Sequence, residues 1–142
     1  MPSRDPLVAA HQQITREWWA DRRLGFDLYV SELVLRECSA GDAVLAATRA
    51  EVIRELRVLG ITNEALELAD VLVSEGLIPL RSAADALHLS IATVYGCEYL
   101  LTWNCKHLAN AEIQRPARIL ASSKGWDLPV VCTPEELMGT EV

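Results

Sequence analysis

The 142-residue chain contains no uninterrupted apolar run near the roughly 18–20 residues that a membrane-spanning helix needs, although 51% of its residues are hydrophobic. With 23% charged residues, the composition fits one compact domain instead, and residues 1–142 are read as a single unit. The opening Met1-Pro2-Ser3-Arg4-Asp5 lacks the basic-then-apolar order of a secretory leader, so the chain is expected in the cytoplasm. Cysteine is sparse and irregular. Cys38, Cys97, Cys105 and Cys132 form no CxxC pair, which argues for free, largely buried thiols rather than a disulfide scaffold. Cys105-Lys106-His107 has the form of half a zinc site, but no second pair at a suitable spacing follows it.

A basic tail or arm is also missing. With 13 basic against 20 acidic residues the net charge is −7, which excludes attraction of the whole molecule to nucleic acid. Only a local arginine patch or metal-bridged phosphates would recruit it. Arginine supplies 11 of the 13 basic residues, a bias that suits bidentate phosphate contacts but follows equally from genome composition. No glycine-rich loop follows any candidate strand, which counts against a small-molecule-binding α/β domain.

What is there alternates between helical and extended patterns. Leu7, Ala10, Ile14 and Trp18 recur at helical steps between Asp5 and Arg23, and adjacent Trp18 and Trp19 point about 100° apart, one inward and one toward a partner. Phe26–Val30 reads as a strand, with Ser31 capping a helix through Cys38. Gly41-Asp42 opens a helix through Val44, Ala47, Val52 and Leu56, and Arg57–Ile61 reads as a second strand. Thr62 or Asn63 caps a helix carrying Leu66, Ala69, Leu72 and Val73 to Gly76, and Ser82 with Asp85 resembles a capping box for a helix running to Tyr95. Cys97–Trp103 reads as a buried strand, Asn104–Ile113 as a loop with a short helix, Pro116–Ser123 as a helix, and Pro129–Cys132 as the last strand. Thr133-Pro134-Glu135-Glu136 then starts a final helical turn. Strands separated by helices imply an α/β fold, a parallel sheet with helices on both faces. Such a sheet usually opens with the strand that becomes its centre, whereas this chain opens with a helix, so a central first strand is expected to be missing in front.

Ligands of open parallel sheets bind beyond the carboxyl ends of the strands, which directs attention to Ser31–Glu37, Ala83–His88 and Thr102–His107. Asp85 sits among Ala83, Ala84, Ala86 and Leu87, where an unpaired carboxylate would be costly. On its own it is also explained as a first-turn acid favoured by the helix dipole. His88 has the ordinary reading of a hydrogen-bonded core histidine, and Glu37 that of a solvated helix residue.

Three stretches, Ser31–Glu37 ("SELVLRE"), Ala83–Ala92 ("AADALHLSIA") and Tyr99–His107 ("YLLTWNCKH"), together resemble the PIN-domain family, the metal-dependent ribonuclease fold that includes VapC-like toxins of toxin–antitoxin pairs. The resemblance covers roughly residues 5–136. It implies a PIN-like parallel sheet flanked by helices and an acidic cluster that holds Mg²⁺ or Mn²⁺ and activates water to hydrolyse RNA. By that resemblance Glu37 is the second acid and Asp85 the third. Asn104 stands where the fourth acid usually lies, with His107 three residues on. An amide can coordinate the ion but adds no charge. The first acid of the family, at the end of the central strand, has no counterpart before Asp5. The resemblance further implies an antitoxin partner and a homodimer or larger assembly. The alternative is a non-catalytic PIN-like module that binds protein and cleaves nothing. For RNA, Arg16, Arg22, Arg23, Arg36 and Lys106 are candidate contacts, and Trp103 is either a base-stacking platform or a core residue at a strand end.

Overall fold

The computed structural model describes residues 6–38, 56–104 and 106–139. Helix α1 (Pro6–Asp21) ends before Arg23 because Arg23–Gly25 tightens into a 3-10 turn. The tandem tryptophans diverge as their spacing requires. Trp18 is 3% exposed and donates its Nε1–H to the Leu137 carbonyl at 3.2 Å, while Trp19 stays partly exposed beneath the Arg23 guanidinium.

Strand β1 (Tyr29–Ser31) starts three residues later than the Phe26–Val30 pattern suggests. Phe26 leaves the ladder to place its ring 5.6 Å from Trp18 and edge-on to Tyr99, a tertiary contact that outweighs strand preference. Ser31 then caps α2 (Glu32–Cys38), its hydroxyl accepting the Val34 N–H at 3.1 Å. The helix expected from Gly41 onward lies outside the described residues. Strand β2 (Arg57–Leu59) pairs in parallel with β1, Val30 opposite Val58.

Thr62 caps α3 (Asn63–Ser74), accepting the Ala65 N–H at 3.1 Å. The helix buries Ala65, Leu68, Ala69 and Leu72, a stripe at the 3-4-7 spacing of an amphipathic helix. Leu66, expected in that stripe, lies beside it and is exposed. Gly76 ends the segment with a positive φ of 78°, a conformation that costs glycine little. Helix α4 (Ala83–Val94) follows a 3-10 turn at Leu80–Ser82. The capping box expected of Ser82 and Asp85 does not form. Ser82 makes no side-chain cap bond, and Asp85 turns instead to His107.

Strand β3 (Tyr99–Leu101) is shorter than Cys97–Trp103 and less buried than expected, with Tyr99 exposed. It pairs in parallel with β4 (Val130–Cys132), Leu100 opposite Val131. Between them α5 (Ala111–Ser123), capped by Asn110, runs through Pro116 instead of starting there. Proline cannot bond the Glu112 carbonyl, but Pro116 is exposed and water can serve that oxygen. After β4 a single turn is closed reciprocally: the Thr133 N–H donates to Glu136 Oε1 at 3.0 Å and the Glu136 N–H to Thr133 Oγ1 at 3.3 Å.

The core packs α3, α4 and α5 around Leu68, Leu72, Ile78, Leu89, Leu128 and Val131. The class is mixed α/β with short parallel strands. The single sheet expected from the alternation is not formed among the described residues. The strands make two separate two-stranded sheets, β1–β2 and β3–β4. No helix among the described residues is long and apolar enough to cross a membrane.

Candidate functional site

The first turn of α4 carries Asp85, and His88 follows three residues later on the same side of the helix. Each forms a bond to a residue distant in sequence. Asp85 Oδ2 lies 3.0 Å from His107 Nδ1, 22 residues away. His88 Nε2 lies 2.9 Å from Glu37 Oε1, 51 residues away. An ionised carboxylate only accepts, so in each pair the bonded ring nitrogen is the one that donates.

His107 is held by the loop that leaves β3. The Asn104 N–H donates to Thr102 Oγ1 and Asn104 Oδ1 accepts the His107 N–H, each at 3.0 Å. The Asn104 carbonyl also accepts from Leu108 and Ala109. Asparagine suits this corner because its short amide replaces a backbone partner in a tight turn. Asn104, His107 and Asp85 thus form one connected corner. The carboxylate there is 23% exposed and the imidazole 11%, so the ring N–H offsets part of the cost of desolvating the acid. The Glu37 carboxylate is more open, at 50% exposure, and reaches the same face of α4 only through His88.

Asp85 on α4 is therefore linked to Asn104 through His107 and Glu37 to α4 through His88, and among the described residues the three expected site residues make no hydrogen bond to one another. Among the described residues no three of His, Cys, Asp and Glu converge closely enough to hold a metal ion. Glu37 and Asp85 each give one oxygen to a histidine. Two carboxylates and an amide oxygen are donor types that a hard cation takes, although Asn104 Oδ1 already accepts the His107 N–H.

The partners of the histidines are what sequence reasoning missed, although His88 is hydrogen-bonded as its ordinary reading has it. His88 lies one helical turn beyond Asp85 and His107 three residues beyond Asn104. Those intervals were the available signal, although neither reveals its distant partner. Glu32, at the head of α2, serves as a brace. It accepts the Ile61 N–H at 3.2 Å and pairs with Arg36 at 2.6 Å. The Ile61 N–H foremost, then the Arg36 guanidinium, hold its carboxyl below the ordinary glutamate range.

The candidate RNA contacts are mostly engaged on the protein itself. Arg16 bonds Gln13, Arg22 bonds the Leu137 carbonyl, Arg23 covers Trp19, and Lys106 is exposed. Trp103 is half-buried, donates Nε1–H to Thr15 Oγ1 at 2.8 Å, and stacks on His11. Burial pushes the thiols of Cys97 and Cys132 up, with the negative charge of Glu136 adding to the effect at Cys132. Both are free and poor nucleophiles at neutral pH. A scan against protein-family models, a search of curated proteins and a search of solved structures each returned no match.

Proposed function

We propose that this chain is a PIN-type endoribonuclease dependent on Mg²⁺ or Mn²⁺, the cytoplasmic toxin of a toxin–antitoxin pair, with an antitoxin protein as partner and a homodimer or larger assembly of its own. The observation that supports this reading is that two histidines tie the expected acids to α4 and its neighbours: His107 joins Asp85 to the Asn104 loop, and His88, one turn from Asp85, holds Glu37. Glu37 and Asp85 would hold the ion, with Asn104 contributing an uncharged oxygen. Bound there, the metal would lower the pKa of a coordinated water and offset charge on the phosphate. The protein's own part is orientation. His107 fixes the Asp85 carboxylate against the loop, and His88 fixes Glu37 against α4, so neither acid must be ordered when RNA arrives.

Mn²⁺ titration by calorimetry, run beside cleavage of single-stranded RNA with metal and with chelator, tests the reading. Wild type is expected to bind Mn²⁺ and cut only with metal, and Asp85→Ala to lose both. Equal Mn²⁺ affinity in the two proteins would remove the metal site.

One observation favours a second reading, a non-catalytic PIN-like module that binds protein. Both acids already have a hydrogen-bond donor, and the described residues offer no three-ligand cluster. RNA cleavage no greater with Mg²⁺ or Mn²⁺ than with chelator would select it.

A further inference from the structure

We infer that the stacked rings of His11 and Trp103 form a nucleobase subsite for single-stranded RNA, a subsite that rests on the ribonuclease reading and lies beside the Asn104–His107–Asp85 corner. The two rings are nearly parallel, 6° apart, with centroids 3.9 Å from one another. They come from α1 and from the loop after β3, and the indole is pinned by its Nε1–H donating to Thr15 Oγ1 at 2.8 Å, across 88 residues of sequence. A ring fixed in plane by a hydrogen bond and already stacked on one face is a prepared platform, because little side-chain freedom remains to be lost when a further ring is added.

Core packing does not account for this pair. The core tryptophan contributed by α1 is Trp18, at 3% exposure, whereas His11 and Trp103 both keep solvent contact. Among the described residues neither ring stacks on a third, which leaves a face for a base to cover. Trp103 also directly precedes Asn104, whose side chain anchors His107 and through it Asp85. One short loop would therefore supply the base contact and the anchor of the acid.

The charge of the molecule gives such a contact a use. At a net charge of −7 general attraction to phosphate gives no affinity. Stacking is indifferent to charge and tolerant of base identity, because every base has a π face. The base adds a third ring to the stack, on the outer face of the His11 imidazole.

Fluorescence anisotropy of a short labelled single-stranded RNA, measured on ice with Mg²⁺ and again with chelator, tests the subsite. His11→Ala is expected to weaken binding by roughly tenfold, and His11→Tyr, which keeps a ring in place, to restore it. Thr15→Val, which frees the indole, is expected to weaken it less. If wild type binds RNA and His11→Ala binds it equally, the subsite is wrong and the ribonuclease reading stands. A base-free ribose-phosphate oligomer that binds as well as RNA would likewise remove the subsite alone. A wild type that binds no RNA in either condition overturns the ribonuclease reading itself.

Discussion

At the scale of single residues, the carboxylates of α2 and α4 differ in what they are asked to do. Asp85 is three-quarters removed from water and has one ring N–H as partner. Replacing His107 by alanine leaves that acid desolvated and unpaired, while the backbone N–H that Asn104 Oδ1 accepts is kept. We expect a loss of about 1–2 kcal/mol in urea denaturation, and an unchanged midpoint would mean that the pair contributes nothing. Glu32 is a surface brace, and its depressed pKa fixes the sign of its pH dependence. The charged form is favoured in the folded chain, so its contribution is fully present above the unfolded pKa and fades as pH falls through the lower folded value. The amide resonance of Ile61, which donates to Glu32, should therefore titrate with a midpoint below the ordinary glutamate value of 4.5. In Glu32→Gln that titration should vanish.

At the scale of elements, helix ends follow local chemistry closely enough to be tested one cap at a time. Thr62→Ala removes the hydroxyl that accepts the Ala65 N–H, and a destabilisation of about 1 kcal/mol is expected in thermal or urea unfolding. A shift indistinguishable from zero would mean that water replaces the cap without loss. Such ends were legible in the sequence, because the Ser31 and Thr62 caps, the Gly76 stop and the turn at Thr133 depend on residues within three or four positions. The start of β1, the passage of α5 through Pro116 and the exposure of Tyr99 were not legible. Each depends on a contact or a solvent boundary supplied by another part of the chain. The site divides in the same way. Asp85 and Asn104 stood out by their positions at a helix start and a strand end, while their link through His107 closes only when 22 residues fold back.

At the scale of the whole molecule, the exposed Tyr29, Val58, Tyr99 and Val130 all lie on strands, where burial is the usual condition in parallel sheets. A second copy covering them accords with the proposed homodimer, and light scattering at micromolar concentration should give a mass well above 15.7 kDa. A clean monomer would count against that assembly. The division into two ladders, β1–β2 and β3–β4, also bears on how the chain is recovered after denaturation. Every described strand bonds a neighbour on one side only, so a population of refolding chains carries more open strand edges than one continuous sheet would offer. Arg57 places a charge in the first ladder, whereas Tyr99–Leu101 and Val130–Cys132 contain none. Renaturation yield should therefore fall as protein concentration rises, with precipitation seeded at the second ladder. A lysine in place of the half-exposed Val130 should recover much of that yield by guarding the edge, and the same charge placed at the exposed Leu66 on α3 should not.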